Sequence, residues 1–316
     1  MKHNSNIGTI IKKEFARFFS DRTLVFTTVI MPGLLIYVIY TLMGSFMTDK
    51  IAEETSKLEQ TQTELVSPLT PEEDALVDSL YAIREASFAE QRISSDVSEQ
   101  QALGDVLGNL IPMLIIMLIW SGCMAVAPTA IAGEKERGTI ATLLVTPMRR
   151  SELALGKIVS LSCFALLSGL SSFVGIILSL PKMLQMDEMA LPDSLYGTSD
   201  FLVIFLVIMS TVLVIISLLS ILSALAKDVK TAGTLITPFM LVIILASLTP
   251  MISSPCNVGL YAIPIYNSAQ AMASVFSFRI DPVAITITTL SNLCYTALAV
   301  FALAKMFNNE KIMFSK

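Results

Sequence analysis

Charged residues are scarce in this sequence. They make up 15% of its 316 residues, where soluble domains carry about 25%, so a water-soluble globular domain is excluded. Apolar residues make up 54%, and the mean hydropathy is +0.71. Six uncharged runs reach the roughly 20 residues that a helix needs to cross a bilayer. The sequence therefore predicts an all-α polytopic membrane protein with spans at Leu24–Phe46, Val106–Ile131, Ile158–Leu180, Phe201–Ala226, Thr231–Ile252 and Pro282–Leu303.

Ionisable side chains are absent from all six predicted spans. Proton-coupled and many ion-coupled pumps keep such groups near the midplane, so their absence argues against a self-powered secondary transporter. It also removes the acid, base or metal ligand of an intramembrane enzyme. The four cysteines lack metal-site spacing, and the single histidine, His3, lies on the N-terminal tail. We therefore predict no catalytic residue, no metal site and no nucleic-acid partner.

A phosphate-binding loop is missing as well. Gly156-Lys157 has neither the upstream glycine nor the following Ser or Thr of the Walker A sequence. The chain is therefore predicted to bind no cofactor of its own. If it moves a substrate, the energy must come from another chain.

Lysine and arginine are unevenly distributed between the connections. With the N-terminus inside, the inner segments are 1–23, 132–157, 227–230 and 304–316, and the outer ones are 47–105, 181–200 and 253–281. The inner segments hold 15 of the 21 basic residues and 7 of the 26 acidic ones, whereas the outer segments hold 6 and 19. The positive-inside rule therefore predicts that both termini are cytoplasmic.

Residues 1–23 are predicted to form a cytoplasmic tail and an amphipathic helix in the inner membrane interface. Apolar residues recur at helical spacing through residues 7–19, with Lys12 and Lys13 on the opposite side. Glu14 breaks this pattern, because at 100° per residue it points into the apolar arc. Two interpretations stay open: the carboxylate meets a cationic partner such as a cytoplasmic arginine, or it reaches water at the rim.

The outer segment 47–105 is the water-soluble part of the predicted protein. Thr70-Pro-Glu-Glu73 reads as a capping box with proline at the first helical position. With an apolar stripe behind it, this signal predicts an extracellular helical insert, a two-helix hairpin. The net charge of −10 either concentrates cations near an exit or belongs to an ordinary solvated face.

The region 158–303, which holds spans three to six, contains two further candidates. The outer loop 253–281 becomes apolar again after a helix-breaking start. It is long enough to dip into the outer leaflet without crossing, so a re-entrant segment is expected there. Polar side chains within the spans either line a translocation path or bond back onto their own helices. The candidates for such a path are Ser217, Ser220, Thr234, Thr237, Ser291, Asn292 and Tyr295.

The segment 132–157 is the longest polar interruption on the cytoplasmic side. Thr139 is expected to cap one short helical piece, and Thr146-Pro147 is expected to start another. Gly138 is expected to hold a backbone angle closed to other residues. A polar, capped, basic elbow between two spans suits a docking surface for another protein. A solvated loop that obeys the positive-inside rule is the alternative.

Three motifs in this segment carry a family resemblance. Glu134-Lys-Glu-Arg-Gly-Thr139, Leu143-Leu-Val-Thr-Pro147 and Glu152-Leu-Ala-Leu-Gly-Lys157 resemble the signature of type-2 ABC exporter permeases. The family often has a glutamate two residues after the Gly-Thr pair, where this chain has Ala141. The C-terminal Phe307-Asn-Asn-Glu-Lys-Ile-Met-Phe314 and the large outer insert are similar to the NatB-like sodium-efflux branch.

The resemblance implies roles for particular residues. In that family the segment between the second and third spans docks on the ATPase subunit, so we call residues 132–157 the coupling segment. The implied coupling residues are Glu134, Glu136, Arg137, Gly138, Thr139, Thr146, Pro147, Glu152, Gly156 and Lys157. The implied residues of an N-terminal elbow helix are Lys13, Glu14 and Arg22.

The resemblance also implies a function. The chain is expected to be the permease subunit of an ATP-driven exporter in a bacterial plasma membrane, with ATP and Mg²⁺ bound by a partner ATPase. Its other partners would be the lipid bilayer and a second copy or a similar permease. Sodium is the leading substrate, and a hydrophobic drug, peptide or lipid is the alternative. A membrane scaffold or sensor that transports nothing is the rival from another class.

Overall fold

The computed structural model describes residues 6–46, 74–139, 150–183, 196–252 and 258–309. Throughout these ranges the chain forms helices and short turns, without a strand. The helices are α1 (Asn6–Ser20), α2 (Arg22–Phe46), α3 (Asp74–Glu136), α4 (Arg150–Met183), α5 (Thr198–Leu225), α6 (Val229–Ser247), α7 (Thr249–Ile252), α8 (Tyr266–Phe276) and α9 (Pro282–Asn308).

Within the part of the chain that the structure describes, six helical stretches are long and apolar enough to cross a membrane. They are Arg22–Phe46, Gly104–Glu136, Glu152–Leu180, Thr198–Leu225, Val229–Ile252 and Pro282–Asn308. The prediction of an all-α chain with six spans is thereby confirmed. The helices extend past the apolar runs, because backbone hydrogen bonding continues where hydrophobicity ends. Glu134 and Lys157, which the sequence places in a connection, therefore lie within helices.

Helix α3 joins two parts that the sequence treats separately. It runs without a break from Asp74 to Glu136, with Pro112 and Pro128 inside it. The second span therefore continues directly into the outer segment, with no break near residue 105. The other half of the predicted hairpin and the capping box at Thr70 lie outside the described residues.

Helix α2 packs closely against α4 beside a proline. A wider, π-helical turn at Phe26–Ile30 comes just before Pro32, whose ring crowds the carbonyl four residues earlier. The next residue, Gly33, lies so near α4 that an added Cβ would be 2.2 Å from the carbonyl oxygen of Ser171. A Cβ on Gly175 would lie 2.4 Å from the carbonyl oxygen of Gly33. Glycine at both positions lets the first and third spans approach at backbone distance.

Helix α5 forms the centre of the bundle. It packs against α3, α4 and α9, and 61% of its most apolar stretch is buried, against 17% for the fifth and sixth spans. A helix that is apolar on every side suits a central position. The fifth and sixth spans instead present apolar side chains such as Leu241 and Phe301 to their surroundings.

Helix α8 lies inside the bundle, against α3 and α5. Its close approach to α3 depends on Gly104 and Gly108, which are four residues apart on one face. A Cβ on Gly108 would lie 2.3 Å from Ser277 Oγ, and that hydroxyl donates to the Gly104 carbonyl at 3.2 Å. Residues 253–257, where the re-entrant segment is expected to begin, lie outside the described residues, and re-entry stays a prediction.

Candidate functional site

The amphipathic N-terminal helix carries a buried carboxylate. Glu14 on α1 is 6% exposed, and its Oε1 accepts a hydrogen bond from Lys157 Nζ at 3.0 Å. Lys157, near the start of α4, is 1% exposed. Of the two interpretations open for Glu14, the structure shows the buried pair, although the main partner is a lysine of the coupling segment.

Two more charged residues complete the cluster. Lys157 Nζ lies 2.6 Å from Glu134 Oε2 near the end of α3, and Arg17 of α1 lies 3.5 Å from Glu134 Oε1. Arg17 is also 3.9 Å from Glu14. We call Glu14, Arg17, Glu134 and Lys157 the charge cluster. It joins the N-terminal helix to both helices that flank the coupling segment.

The charge cluster is electrically balanced and mostly sealed from water. Two carboxylates meet two cations, and Glu14, Glu134 and Lys157 are each at least nine-tenths buried. Two further hydrogen bonds reach backbone acceptors: Lys157 donates to the carbonyl of Ala130 at 3.0 Å and Arg17 to that of Thr129 at 3.1 Å. Such pairing matters for buried charges, because each costs several kcal/mol to remove from water.

Apolar contacts hold the two helices around the charge cluster. Phe18 of α1 stacks on Phe164 of α4 with ring centroids 3.9 Å apart. Further along, Gly156 faces Ile10, and a Cβ there would lie 2.9 Å from the Ile10 side chain. The small residue before Lys157 therefore allows α1 to lie directly on α4, which brings Glu14 within reach of the ammonium group.

The end of α3 is shaped by Gly138. Its φ is +69°, a left-handed conformation that glycine adopts without strain and that commonly ends a helix. The amide of Gly138 donates to the Lys135 carbonyl at 3.0 Å, and Thr139 Oγ1 donates to the Glu134 carbonyl at 3.2 Å. The special backbone angle expected at Gly138 is therefore present. The chain therefore turns at Gly138, directly after the end of α3.

The same end of α3 holds the short connection between α5 and α6. Lys135 Nζ donates to the carbonyls of Ala224 and Ala226, the latter at 3.1 Å. Glu136 Oε2 accepts from the backbone amide of Val229 at 3.1 Å. Consecutive residues of one motif thus engage the last carbonyls of α5 and the first amide of α6. The motif connects four of the six spans and the N-terminal helix at one end of the bundle.

Comparison with known proteins identifies the family. The family model for ABC-2 family transporter proteins matches residues 8–306, nearly the whole chain. The chain belongs to this family. A stretch of 74 residues is also 42% identical to the ABC transporter permease protein NatB of Bacillus subtilis (strain 168). That stretch covers 23% of this chain and 19% of the relative's length, so it supports a NatB-like branch without extending that protein's properties to this chain.

As an ABC-2 family member, the chain is the transmembrane component of an ABC transporter rather than its ATPase. The structure divides the implied coupling residues into two groups. Glu136, Arg137, Gly138 and Thr139 are exposed, whereas Glu134, Gly156 and Lys157 are buried. Direct contact of the buried group with another protein is not supported by this geometry. Their observed contacts lie within the permease itself.

The remaining implied residues lie at the edges of this region. Glu152 on α4 is half-buried, and Lys13 and Arg22 are exposed at α1 and the start of α2. Thr146 and Pro147 lie outside the described residues, as does the capped turn expected after Thr139. Arg17, a member of the charge cluster, is not among the site residues predicted from the sequence. Its position one turn after Glu14 was the signal, because residues three apart share a helix face.

Four of the seven candidate path residues bond back onto their own helices. Ser217, Ser220, Thr234 and Thr237 each donate back to a carbonyl of their own helix. Ser291 donates to the Ala262 carbonyl at 2.8 Å, and Tyr295 is 41% exposed. The two serines and two threonines therefore follow the alternative interpretation, in which polar side chains bond back onto their own helices.

Asn292, another of the candidate path residues, takes part in a buried hydrogen-bond network. It is fully buried and donates to Ser210 Oγ at 3.1 Å and Ser268 Oγ at 3.0 Å. Its Oδ1 accepts from Asn267 Nδ2 at 3.0 Å. This amide and hydroxyl network joins α5, α8 and α9. Asn267 and Ser268 were missed because they lie on the loop side of the predicted boundary, while the fold brings them beside the sixth span.

Proposed function

We propose that this permease belongs to an ATP-driven exporter and that the charge cluster transmits movement of the ATPase subunit to the spans. The observation that carries the proposal is the position of Lys157. It lies within 3.0 Å of carboxylates on both α1 and α3. The two ends of the coupling segment are therefore joined to each other and to the N-terminal helix through one buried ammonium group.

The exposed group supplies the surface for the ATPase. Glu136, Arg137 and Thr139 stand at the point where the chain turns away from α3 around Gly138. Alternating charges on an exposed turn suit a polar protein interface, where truncating one member of a desolvated charge pair costs about 2–5 kcal/mol. The ATPase, which would bind ATP and Mg²⁺, would dock on this turn and on the adjoining part of the coupling segment.

Closure of the ATPase subunits would then act on several spans together. Helix α1 continues into the first span, α3 and α4 contain the second and third, and Lys135 with Glu136 holds the fourth to the fifth. ATP can shift the pathway from inward-open to outward-open only by binding the two states with different affinity. The contacts among these spans supply the means to convert docking energy into that shift.

The charge distribution supports the proposed orientation. The charge cluster and the exposed turn lie on the side with 15 of the 21 basic residues, which the positive-inside rule places in the cytoplasm of a bacterial plasma membrane. Both termini would lie on that side. A second copy, or a similar permease, would complete the transporter with two ATPase subunits.

The test compares the exposed and the buried groups. Arg137→Ala should weaken pull-down of the ATPase at matched membrane expression. Glu14→Gln should leave pull-down intact and lower the ATPase activity that depends on coupling. Lys12→Gln, an exposed change on the same helix as Glu14, is the matched control. Wild-type binding and transport by the Arg137 and Glu14 variants would remove the support for this proposal.

Sodium remains the leading substrate, on the resemblance to the NatB-like branch. Expression with the ATPase should raise tolerance to high external sodium and lower internal sodium, and an inactive ATPase should abolish both effects. Unchanged sodium together with resistance to an amphipathic antibiotic would favour export of a hydrophobic drug, peptide or lipid. Failure of the ATPase to co-purify with the chain would favour the scaffold or sensor.

A further inference from the structure

A polar pocket lies at the end of the bundle opposite to the charge cluster. It has a volume of about 250 Å³ and is formed by α3, α8 and the chain around them. Its polar lining includes Asp105, Asn109, Tyr261, Gln270, Ser277 and Arg279. Asp105 and Glu134 are 29 residues apart on α3, which at 1.5 Å per residue is about 44 Å. That distance matches a bilayer with its headgroup regions, so the pocket lies at the headgroup level of the opposite leaflet.

The mouth of the pocket carries one charge of each sign. Arg279 donates to Asp105 Oδ2 at 3.4 Å, and the two side chains are 65% and 48% exposed. An exposed pair at this distance contributes little to stability. Both groups are therefore available to a ligand that offers a better partner to each.

The floor of the pocket is neutral and polar. Gln270 is 4% exposed and Tyr261 is 7% exposed, and Asn109 of α3 lies beside them in the lining. Burial, with the nearby Asp281, raises the pKa of Tyr261, so its phenol remains protonated. Amides and a phenol accept and donate hydrogen bonds without adding charge. The floor can thus hold the polar body of a ligand whose charges are bound at the mouth.

The surroundings of the pocket are apolar. Next to lining residue Pro250, Met251 and Ile252 are 51% and 80% exposed, and Ile280 beside Arg279 is 39% exposed. Exposed side chains of this size suit acyl chains rather than water. A ligand that fits both parts has a charged polar head and a hydrocarbon tail.

We propose that this pocket binds the headgroup of a zwitterionic phospholipid that carries a primary ammonium group. The phosphate would bind the Arg279 guanidinium, which presents paired donors in a fork that suits phosphate oxygens. The ammonium would donate to the Asp105 carboxylate, and the acyl chains would lie along Met251, Ile252 and Ile280. The lipid would bridge α3 to the chain between α8 and α9, beside the close contact at Gly104 and Gly108.

The chemistry predicts a particular headgroup preference. Phosphatidylethanolamine supplies both charges and N–H donors. Phosphatidylcholine has a cation without N–H donors, and phosphatidylglycerol has no cation. The purified full-length chain in nanodiscs should therefore retain phosphatidylethanolamine at least about tenfold over the other two in competition followed by native mass spectrometry.

Two variants test the assignment. Arg279→Gln should lower retention of all three lipids, because each of them carries the phosphate that this residue would bind. Asp105→Asn, which removes the carboxylate that would bind the ammonium group, should reduce the preference for phosphatidylethanolamine by about tenfold. Lys305→Gln, an exposed change at the other end of α9, is the matched control and should leave it unchanged. Equal retention of all three headgroups by the wild type, an unchanged preference in Asp105→Asn, or unchanged lipid retention in Arg279→Gln would overturn the proposal.

Competition with a soluble compound distinguishes binding of a lipid from binding of a free zwitterion. Phosphoethanolamine has the same charges without acyl chains, and should compete at least a hundredfold more weakly than a short-chain phosphatidylethanolamine, because it leaves the apolar surroundings uncovered. Competition by both at similar concentrations would show that the pocket takes a free zwitterion and would overturn the lipid assignment. None of these measurements needs the ATPase, so their outcome is independent of the proposed export function.

Discussion

Replacing Lys157 by methionine is the most direct perturbation of the charge cluster. Methionine keeps a similar length and an apolar stem, but removes the ammonium group that lies 3.0 Å from Glu14 and 2.6 Å from Glu134. Two buried carboxylates then remain with Arg17 as their nearby cation, 3.9 and 3.5 Å away. The expected result is that α1 detaches from α4 more often.

The magnitude follows from the burial of the pair. Removing one partner of a buried ion pair costs about 3–5 kcal/mol, and every 1.4 kcal/mol is a factor of ten in an equilibrium. Detachment of α1 should therefore become more frequent by between about a hundredfold and a few thousandfold. If the attachment of α1 is worth less than this cost, protection of the helix should be lost altogether.

Hydrogen–deuterium exchange measures this change directly. Amides of α1 exchange when the helix opens, so their protection reports the free energy of opening. The permease in nanodiscs would be compared with Lys157→Met and with Lys12→Met, which changes an exposed lysine of α1 and should exchange like the wild type. Exchange in α5, at the centre of the bundle, should stay the same in all three proteins.

A double variant separates the charge from the packing of Lys157. Glu14→Gln combined with Lys157→Met leaves the balanced pair of Arg17 and Glu134, and should recover at least about tenfold of the protection that Lys157→Met loses. Protection of α1 in Lys157→Met within threefold of the wild type would refute the reasoning. So would a double variant less protected than the single one, because the charge cluster would then not be what holds α1.

Three other predictions concern the ends of the helices. Gly138→Val should weaken ATPase pull-down without a change of charge. Gly138→Asn should be tolerated better, because asparagine enters the left-handed region at lower cost. Equal binding of the ATPase by both variants would contradict the role of the Gly138 φ of +69°. The backbone amide and hydroxyl of Thr231 bond to Asp228 and lower its pKa, so this cap should be fully present above the ordinary aspartate pKa of about 3.9. The cap should stop protecting the amides of the first turn of α6 from hydrogen exchange as the pH falls through the lowered pKa of Asp228. Exchange in this turn that does not depend on pH, or that is the same in Asp228→Ala, would contradict the prediction. A cysteine at Ser199 should label with an impermeant thiol reagent from outside intact cells and one at Lys227 should not; the reverse pattern would invert the orientation.

Hydropathy was sufficient to predict the number and approximate position of the spans. An apolar run of about 20 residues is stable only when lipid or protein covers it, whatever else the chain does. The same argument could not place Glu134 or Lys157, because hydropathy marks where a helix leaves the hydrocarbon rather than where its hydrogen bonding stops. Both residues lie inside helices that extend past the apolar runs.

The coupling segment shows a similar division. A glycine directly before a capping threonine was enough to predict an unusual backbone angle at Gly138, because that conformation depends on local sterics. The sequence of the segment did not predict which of its residues would be buried. Glu134, Gly156 and Lys157 are buried, whereas Glu136 and Arg137 are exposed. The burial of these residues depends on packing against α1, which is more than a hundred residues away in the sequence.

The sequence by itself determined the class of protein, the helical periodicity and the position of an anomalous carboxylate at Glu14. These properties follow from solvent transfer and from geometry within a single helix. Only the tertiary structure decided which cation meets that carboxylate, and that Asp105 and Arg279 share one pocket. The physical reason is that two charged groups form an ion pair only when they lie within a few ångströms of each other. Residues 143 or 174 positions apart reach that distance only when whole helices have packed.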